Sequence, residues 1–110
     1  MRQKICDIHE LDELYCKEFT IKNTEFETDA FLIYFNGQSY AYENSCPHTG
    51  ASLNWQKEQF FSLDGLYLQC CLHGALFEPD SGFCVRGPCK GSELKKVDLV
   101  VDGIAVYRES

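Results

Sequence analysis

Four residues in two short segments have the types and spacing that a metal centre requires. Cys46 and His48 lie in the segment CPHTGASL, and Cys70 and His73 lie in the segment CCLHGALF. Each segment follows a predicted β-strand, so each would form a short loop that presents one sulfur and one nitrogen ligand. The two loops together would offer two thiolates and two imidazoles to one centre.

Two kinds of centre use this ligand set. Structural zinc is bound tetrahedrally by cysteine and histidine. A Rieske [2Fe–2S] cluster has two cysteines on one iron and two histidines on the other. The residues Gly50 and Gly74 favour the cluster, because glycine lets the backbone approach a bulky inorganic core and leaves N–H groups to face sulfide.

Around these ligands the sequence resembles the Rieske family, and within it the low-potential soluble ferredoxins. The family pattern is C-P-H-x-G-A-x-L, followed after a gap by C-x-x-H-G-A-x-F, then x₄-G and a Gly-Pro turn. The chain has all of these features, the last two as Gly82 and Gly87-Pro88. The resemblance covers roughly residues 40–94 and implies that Gly87-Pro88 forms a turn over the cluster.

The resemblance also implies a role for each ligand. Cys46 and Cys70 would bind the inner iron of a [2Fe–2S] cluster, and His48 and His73 would bind the outer, solvent-facing iron. Spacing alone leaves Cys71 as an alternative to Cys70, because Cys71-Leu72-His73 repeats the Cys-x-His spacing of the first loop. The C-x-x-H-G-A register favours Cys70.

Other positions depart from parts of the family. The stretch 49–69 is longer than usual, which predicts an altered surface beside the cluster. High-potential relatives have a disulfide between the loops, and here Ala51 and Leu72 replace its cysteines. Those relatives also have a serine and a tyrosine that donate hydrogen bonds to the cluster, where this chain has Ala75 and Phe77. We therefore expect a potential of roughly −150 mV, at the lower end of the Rieske range.

The elements around the loops are predicted to be nearly all β. Three hairpins are expected, with turns at Asn36-Gly37, Asp64-Gly65 and Asp102-Gly103. Shorter predicted elements are strands at 3–7, 18–21 and 75–78, a helical turn within 9–14 and an irregular excursion at 53–59. Many short strands with regular turns predict a small antiparallel β-sandwich or barrel with a cluster-binding subdomain of two loops. Residues 1–110 are expected to form one Rieske domain.

Composition limits the class of protein. The chain has 110 residues, a formal net charge of −7 and seven cysteines. The negative charge argues against nucleic acid and anionic membranes as partners and suits docking onto a basic protein surface. No apolar run is long enough to span a membrane, and no signal peptide is evident, so a cytoplasmic protein is expected. In a reducing compartment an odd, high cysteine count points to metal before disulfides.

Residues outside the two loops are given structural interpretations. Cys84 and Cys89 flank the Gly-Pro turn and could form a disulfide, act as a redox switch or fill space, the last being favoured. Cys6 and Cys16 are expected in the core or on the surface, and His9 is expected on the surface. Trp55 would fill the core under the long loop or belong to a docking face. The acidic residues Glu10, Asp12 and Glu13 are expected to form a solvated face.

The predicted function is one-electron transfer. With His48 and His73 assigned to the cluster, His9 is the only other histidine. A mononuclear iron oxygenase site needs two histidines and a carboxylate, so the chain is expected not to be an enzyme in itself. It would pass electrons from a reductase to a terminal acceptor. The alternatives are a permanent non-catalytic subunit or sensor of a larger oxidoreductase, and a structural zinc module.

Overall fold

The structure is a computed structural model that describes residues 2–22, 27–45, 47, 53, 60–70, 74–87 and 90–109. These residues form nine β-strands and one 3₁₀ helix. The strands are β1 (Arg2–Asp7), β2 (Cys16–Lys22), β3 (Glu27–Phe35), β4 (Gln38–Glu43), β5 (Leu68–Gln69), β6 (Leu76–Phe77), β7 (Cys84–Arg86), β8 (Leu99–Asp102) and β9 (Ala105–Glu109), and the helix is Ile8–Glu10. No helix in these described ranges is long and apolar enough to cross a membrane.

The strands form three antiparallel sheets, which confirms the predicted all-β fold. The terminal sheet has the order β1-β9-β8, the central sheet β2-β3-β4 and the loop sheet β5-β6-β7. Sequence reasoning anticipated most of these strands. It did not anticipate β7, whose three residues are too few to give a period-two pattern.

The central sheet has a hydrophobic core on each face, because successive side chains of a strand point to opposite faces. Phe31, Ile33 and Tyr42 lie in the loop-side core, which the loop sheet completes. Leu32 and Ala41 lie in the terminal-side core. The loop-side core contains Phe31, Ile33, Tyr42, Leu53, Phe60, Leu68, Cys70, Ala75, Phe77, Cys84 and Leu94, and the terminal-side core contains Ile5, Cys6, Leu32, Ala41 and Val106. The central sheet therefore separates the terminal sheet from the candidate ligand Cys70.

The hairpin β3–β4 follows the prediction closely. Its two turn residues, Asn36 and Gly37, have φ of 52° and 84°, as a type I′ turn requires. The Asn36 N–H also donates to the Glu13 carboxylate at 2.9 Å. Part of the expected acidic face thus has a local structural role in holding this turn.

The other two predicted hairpins differ in detail. Around Asp64-Gly65 one isolated bridge joins the two sides, Phe61 with Leu68, and the Asp64 carboxylate accepts from the Leu66 N–H within the turn. In the last hairpin Asp102 pairs with Ala105, so the turn residues are Gly103 and Ile104. That turn lies one residue later than predicted. The predicted helical turn begins at Ile8 and is shorter than expected.

Tyr42 gives a test of the loop-side core. Its side chain is 1% exposed, and its hydroxyl donates to the Pro79 carbonyl oxygen at 2.6 Å. Burial, and then the nearby negative charge of Asp80, raise the pKa of Tyr42 well above its usual value of about 10. Because the folded-state pKa is the higher one, this contribution to stability is complete below about pH 10 and is lost as the pH rises further.

We expect Tyr42→Phe to lower the free energy of unfolding by about 1–2 kcal/mol near neutral pH. The variant should also lose stability less steeply between about pH 9 and pH 11. Denaturant midpoints at both pH values measure the two effects. Tyr40→Phe is the matched control, since the Tyr40 hydroxyl donates to the exposed Gln38 side chain. Equal alkaline slopes for the wild type and Tyr42→Phe would contradict this account.

Candidate metal centre

The structure describes only one of the four predicted ligands. Cys70 is described, whereas Cys46, His48 and His73 lie outside the described residues, as does the alternative ligand Cys71. Within the ranges that the structure covers, no group of three or more His, Cys, Asp or Glu side chains could hold a metal ion. The four-ligand assignment therefore stays a prediction, and the described residues report on how the two loops are held.

Cys70 directly follows β5 and is 1% exposed in the loop-side core. Its N–H donates to the Ala75 carbonyl oxygen at 2.9 Å, and its carbonyl oxygen accepts from the Gly74 N–H at 3.0 Å. These bonds extend the β5–β6 ladder by one step beyond the pair Gln69 and Leu76. Both ends of the segment that carries Cys71 and His73 are thus fixed to the loop sheet. A buried thiol at this place suits an inner metal ligand.

The turn around Gly87 packs directly against the second loop. Gly87 has φ of 104°, and a Cβ atom there would lie 2.7 Å from the Ala75 Cα atom. The Gly91 N–H donates to the Cys84 carbonyl oxygen at 3.2 Å, which closes the turn. Only glycine allows this approach without displacing backbone. The position beside Ala75 agrees with a turn adjoining the cluster loops.

The first loop is held at its base by Asn44, which sequence reasoning missed. Its backbone N–H donates to the Asp29 carbonyl oxygen at 2.8 Å, in the neighbouring strand β3. Its side-chain Oδ1 accepts from the Leu53 N–H at 2.8 Å. Leu53 is fully buried in the loop-side core. The two ends of the loop that contains Cys46 and His48 are therefore joined by one side chain, a pattern typical of asparagine beside a turn.

We expect Asn44→Ala to destabilise the protein by about 1–3 kcal/mol, because it leaves the buried Leu53 N–H without this acceptor. It should also speed the loss of iron to a chelator, since the ends of the first loop would separate more readily. Thermal unfolding and the rate of bleaching of the visible absorption measure the two effects. Asn44→Asp keeps an acceptor oxygen and should fall much closer to the wild type. Equal damage in both variants would show that the Oδ1 contact is not what matters.

A cavity of about 280 Å³ lies beside the first loop. Pro47, next to the predicted ligand Cys46, forms part of its wall together with Ser45. The charged residues of its lining are Glu43, Glu93 and Lys95. The surroundings of the first loop are therefore of mixed charge.

Of the other cysteines, the structure describes Cys6, Cys16 and Cys84, and all three are buried or partly buried. Cys84 is fully buried in the loop-side core, and its thiol donates to the Arg86 carbonyl oxygen at 3.3 Å. Cys6 is buried in the terminal-side core, where burial raises the pKa of its thiol. Cys16 packs partly buried against the loop-side core. Cys89 and Trp55 lie outside the described residues, and His9 is exposed as predicted.

The sequence was compared with models of known protein families, and one of them matches almost the whole chain. The family model described as the Rieske [2Fe-2S] domain matches residues 1–108 of the chain. Among curated proteins, none matches significantly. A solved structure with the same fold is the ferredoxin of carbazole 1,9a-dioxygenase from Nocardioides aromaticivorans, which is 21% identical. It superimposes with a TM-score of 0.75 over 98% of this chain and 96% of the ferredoxin.

Two further solved structures contain the same fold, one of them as part of a longer chain. The terminal oxygenase of carbazole 1,9a-dioxygenase from Nocardioides aromaticivorans is 19% identical, with a TM-score of 0.77 over 97% of this chain but 29% of the oxygenase. A putative nitrite reductase NADPH (small subunit) oxidoreductase protein is 19% identical, with a TM-score of 0.69 over 100% of this chain and 99% of that protein. At these identities the likeness establishes the fold.

Proposed function

Because this chain belongs to the Rieske [2Fe–2S] domain family, whose cofactor is a [2Fe–2S] cluster, we propose that it is a one-electron carrier. It takes an electron from a reductase and delivers it to a terminal redox enzyme such as an oxygenase. The supporting observation is that a ferredoxin fold is matched over 96% of the ferredoxin's own length. By contrast, only 29% of an oxygenase is matched.

The described residues fit this cofactor. Cys46 and Cys70 hold the inner iron in our proposal, and His48 and His73 hold the outer iron. The burial of Cys70 and the close approach of Gly87 to Ala75 suit a bulky centre enclosed on its inner side. When bound, the cluster supplies reversible uptake of one electron. The chain itself orients the ligands through the hydrogen bonds of Cys70, Gly74 and Asn44.

The residues beside the second loop set the proposed potential. Ala75 and Phe77 are both buried, and neither carries a hydroxyl that could donate a hydrogen bond to the cluster. Such bonds raise the potential of an iron–sulfur centre. We therefore predict a midpoint of roughly −150 mV. Protein-film voltammetry measures it directly, and a midpoint well above zero would contradict the proposed environment.

A permanent subunit of a larger oxidoreductase is the second candidate. It is favoured by the shared fold with the putative small subunit of a nitrite reductase. Affinity purification of the chain from its own cells at moderate salt distinguishes a free electron carrier from a permanent subunit. An electron carrier should elute alone and should still be reduced by dithionite and reoxidised through repeated cycles, with one electron per chain. A stoichiometric complex that survives gel filtration would favour the subunit.

A further inference from the structure

The turn around Gly87 carries a local positive charge in an acidic chain. The net charge of the whole protein is −7, but residues 84–92 contain Arg86 and Lys90 and no acidic residue. Both side chains belong to exposed residues. We call Arg86 and Lys90, with the Gly87 backbone between them, the basic turn.

The ladder of the loop sheet places the basic turn close to the second cluster loop. Gln69 pairs with Leu76, and Leu76 pairs with Arg86. Two strand spacings separate Arg86 from Gln69, a distance of about 10 Å. Gln69 is the neighbour of the proposed ligand Cys70, and Gly87 touches Ala75. An exposed positive charge therefore lies within about one Debye length of this loop at 0.1 M salt.

Several acidic residues of the described chain lie away from the basic turn. Asp7 and Glu10 belong to the end of β1 and the 3₁₀ helix, on the far side of the central sheet. Asp80 follows the opposite end of β6 and borders a cavity shared with Tyr42 and Lys96. The molecule measures 39 × 34 × 24 Å, several Debye lengths across at 0.1 M salt, so distant charges are largely screened at the loops.

The acidic residues that border the first loop are balanced in part. Glu43 and Glu93 line the cavity beside Pro47, but the same cavity includes Lys95. Glu93 follows the basic turn in sequence and pairs with Phe83, so it lies at the base of the turn and not between Arg86 and Lys90. The cavity beside the first loop thus has mixed charge, whereas the basic turn, which adjoins the described end of the second loop at Ala75, carries two positive charges.

We propose that the basic turn is the docking surface for an acidic face of a redox partner protein. The net charge alone predicts the opposite, a basic partner, but short-range encounter is governed by the charges around the contact. Arg86 and Lys90 would guide the partner to the second loop, where the proposed outer-iron ligand His73 lies in the sequence. This inference rests on the proposed electron-transfer function.

Small oxidants of opposite charge provide the test. The dithionite-reduced protein gives one electron to ferricyanide, a trianion that becomes ferrocyanide, or to hexaamminecobalt(III), a trication that becomes hexaamminecobalt(II). Stopped-flow rates are compared between Arg86→Gln/Lys90→Gln and Lys4→Gln/Arg108→Gln, which removes the same two charges from the terminal sheet.

We expect the Arg86→Gln/Lys90→Gln variant to react about tenfold more slowly with ferricyanide at low salt. It should react faster with the cobalt complex. The Lys4→Gln/Arg108→Gln control should change either rate less than about twofold, and all differences should shrink at high salt. Equal effects in the two double variants would mean that net charge, and not the basic turn, governs encounter, and would overturn the proposal.

A second measurement does not depend on electron transfer. Hexacyanochromate(III), a redox-inert paramagnetic anion, is titrated into the oxidised protein while amide NMR signals are recorded. Signals of Lys90 and Gly91 should broaden first, and the Arg86→Gln/Lys90→Gln variant should lose the effect. Broadening centred elsewhere would refute the docking surface. A protein that binds the anion at this turn but cannot be cycled by dithionite would instead refute the carrier function.

Discussion

The His73→Ala variant is expected to lose the visible absorption and the bound iron, whereas His9→Ala keeps both. The imidazole of His73 is proposed as one of two ligands to the outer iron, and alanine offers no donor atom in its place. An iron with an open position exchanges with solvent, and the cluster is lost because its ligands act together. His9 is the matched control, since it is an exposed histidine in the 3₁₀ helix.

The adjacent cysteines extend this test to the sulfur ligands. Cys70→Ser should lose the iron, because it removes the buried thiol at the fixed end of the second loop. Cys71→Ser should retain it. Iron content and the visible spectrum after anaerobic purification are the readouts. The reverse pattern would move the ligand to Cys71, and a coloured, iron-replete His73→Ala protein would refute the histidine assignment.

Gly87→Ala is expected to destabilise the protein by about 2–5 kcal/mol. The φ of 104° is unfavourable for a residue with a side chain, at about 1–2 kcal/mol. The new methyl would also lie 2.7 Å from the Ala75 Cα atom, so the turn or the second loop must shift, at an additional cost of about 1–3 kcal/mol. Thermal unfolding measures the loss, and faster iron release to a chelator should accompany it.

Gly91→Ala separates the two causes. Gly91 has φ of 94°, but a Cβ atom there would meet nothing within 4 Å. This control therefore carries the backbone cost without the contact with Ala75, and should lose only about 1–2 kcal/mol. It should also keep the normal rate of iron release. If both variants lose the same stability and release iron at the same rate, the close packing of Gly87 on the second loop does not stabilise the protein.

The fold was predictable where local signals are strong. Asn36-Gly37 between two apolar strands specifies a type I′ hairpin, and the structure has it. The last hairpin was misplaced by one residue, because Asp102-Gly103 and Gly103-Ile104 are both acceptable turns and pairing of the strands decides between them. Strand β7 forms because it pairs with β6, and its three residues are too few to predict a strand from the sequence.

The candidate site also has features that the sequence predicts and features that it does not. Motif spacing indicated the ligands, and the family resemblance implied the turn at Gly87 and the importance of Ala75 and Phe77, which have no hydroxyl. It did not indicate Asn44, whose importance lies in a buried bond to Leu53 nine residues away. Nor does net charge reveal where charges lie. The expectation of docking onto a basic partner came from a total of −7, whereas the position of Arg86 beside the second loop follows only from the pairing of β6 and β7.

The most direct test of the account is the metal content and spectrum of the protein purified without oxygen. Iron and zinc are counted, and visible and EPR spectra are recorded before and after dithionite. We expect about two irons per chain, a red-brown colour, and a rhombic EPR signal that appears on reduction and is typical of mixed cysteine and histidine ligation. A colourless protein with one zinc per chain, or with no metal, would contradict the cluster and with it the electron-carrier function.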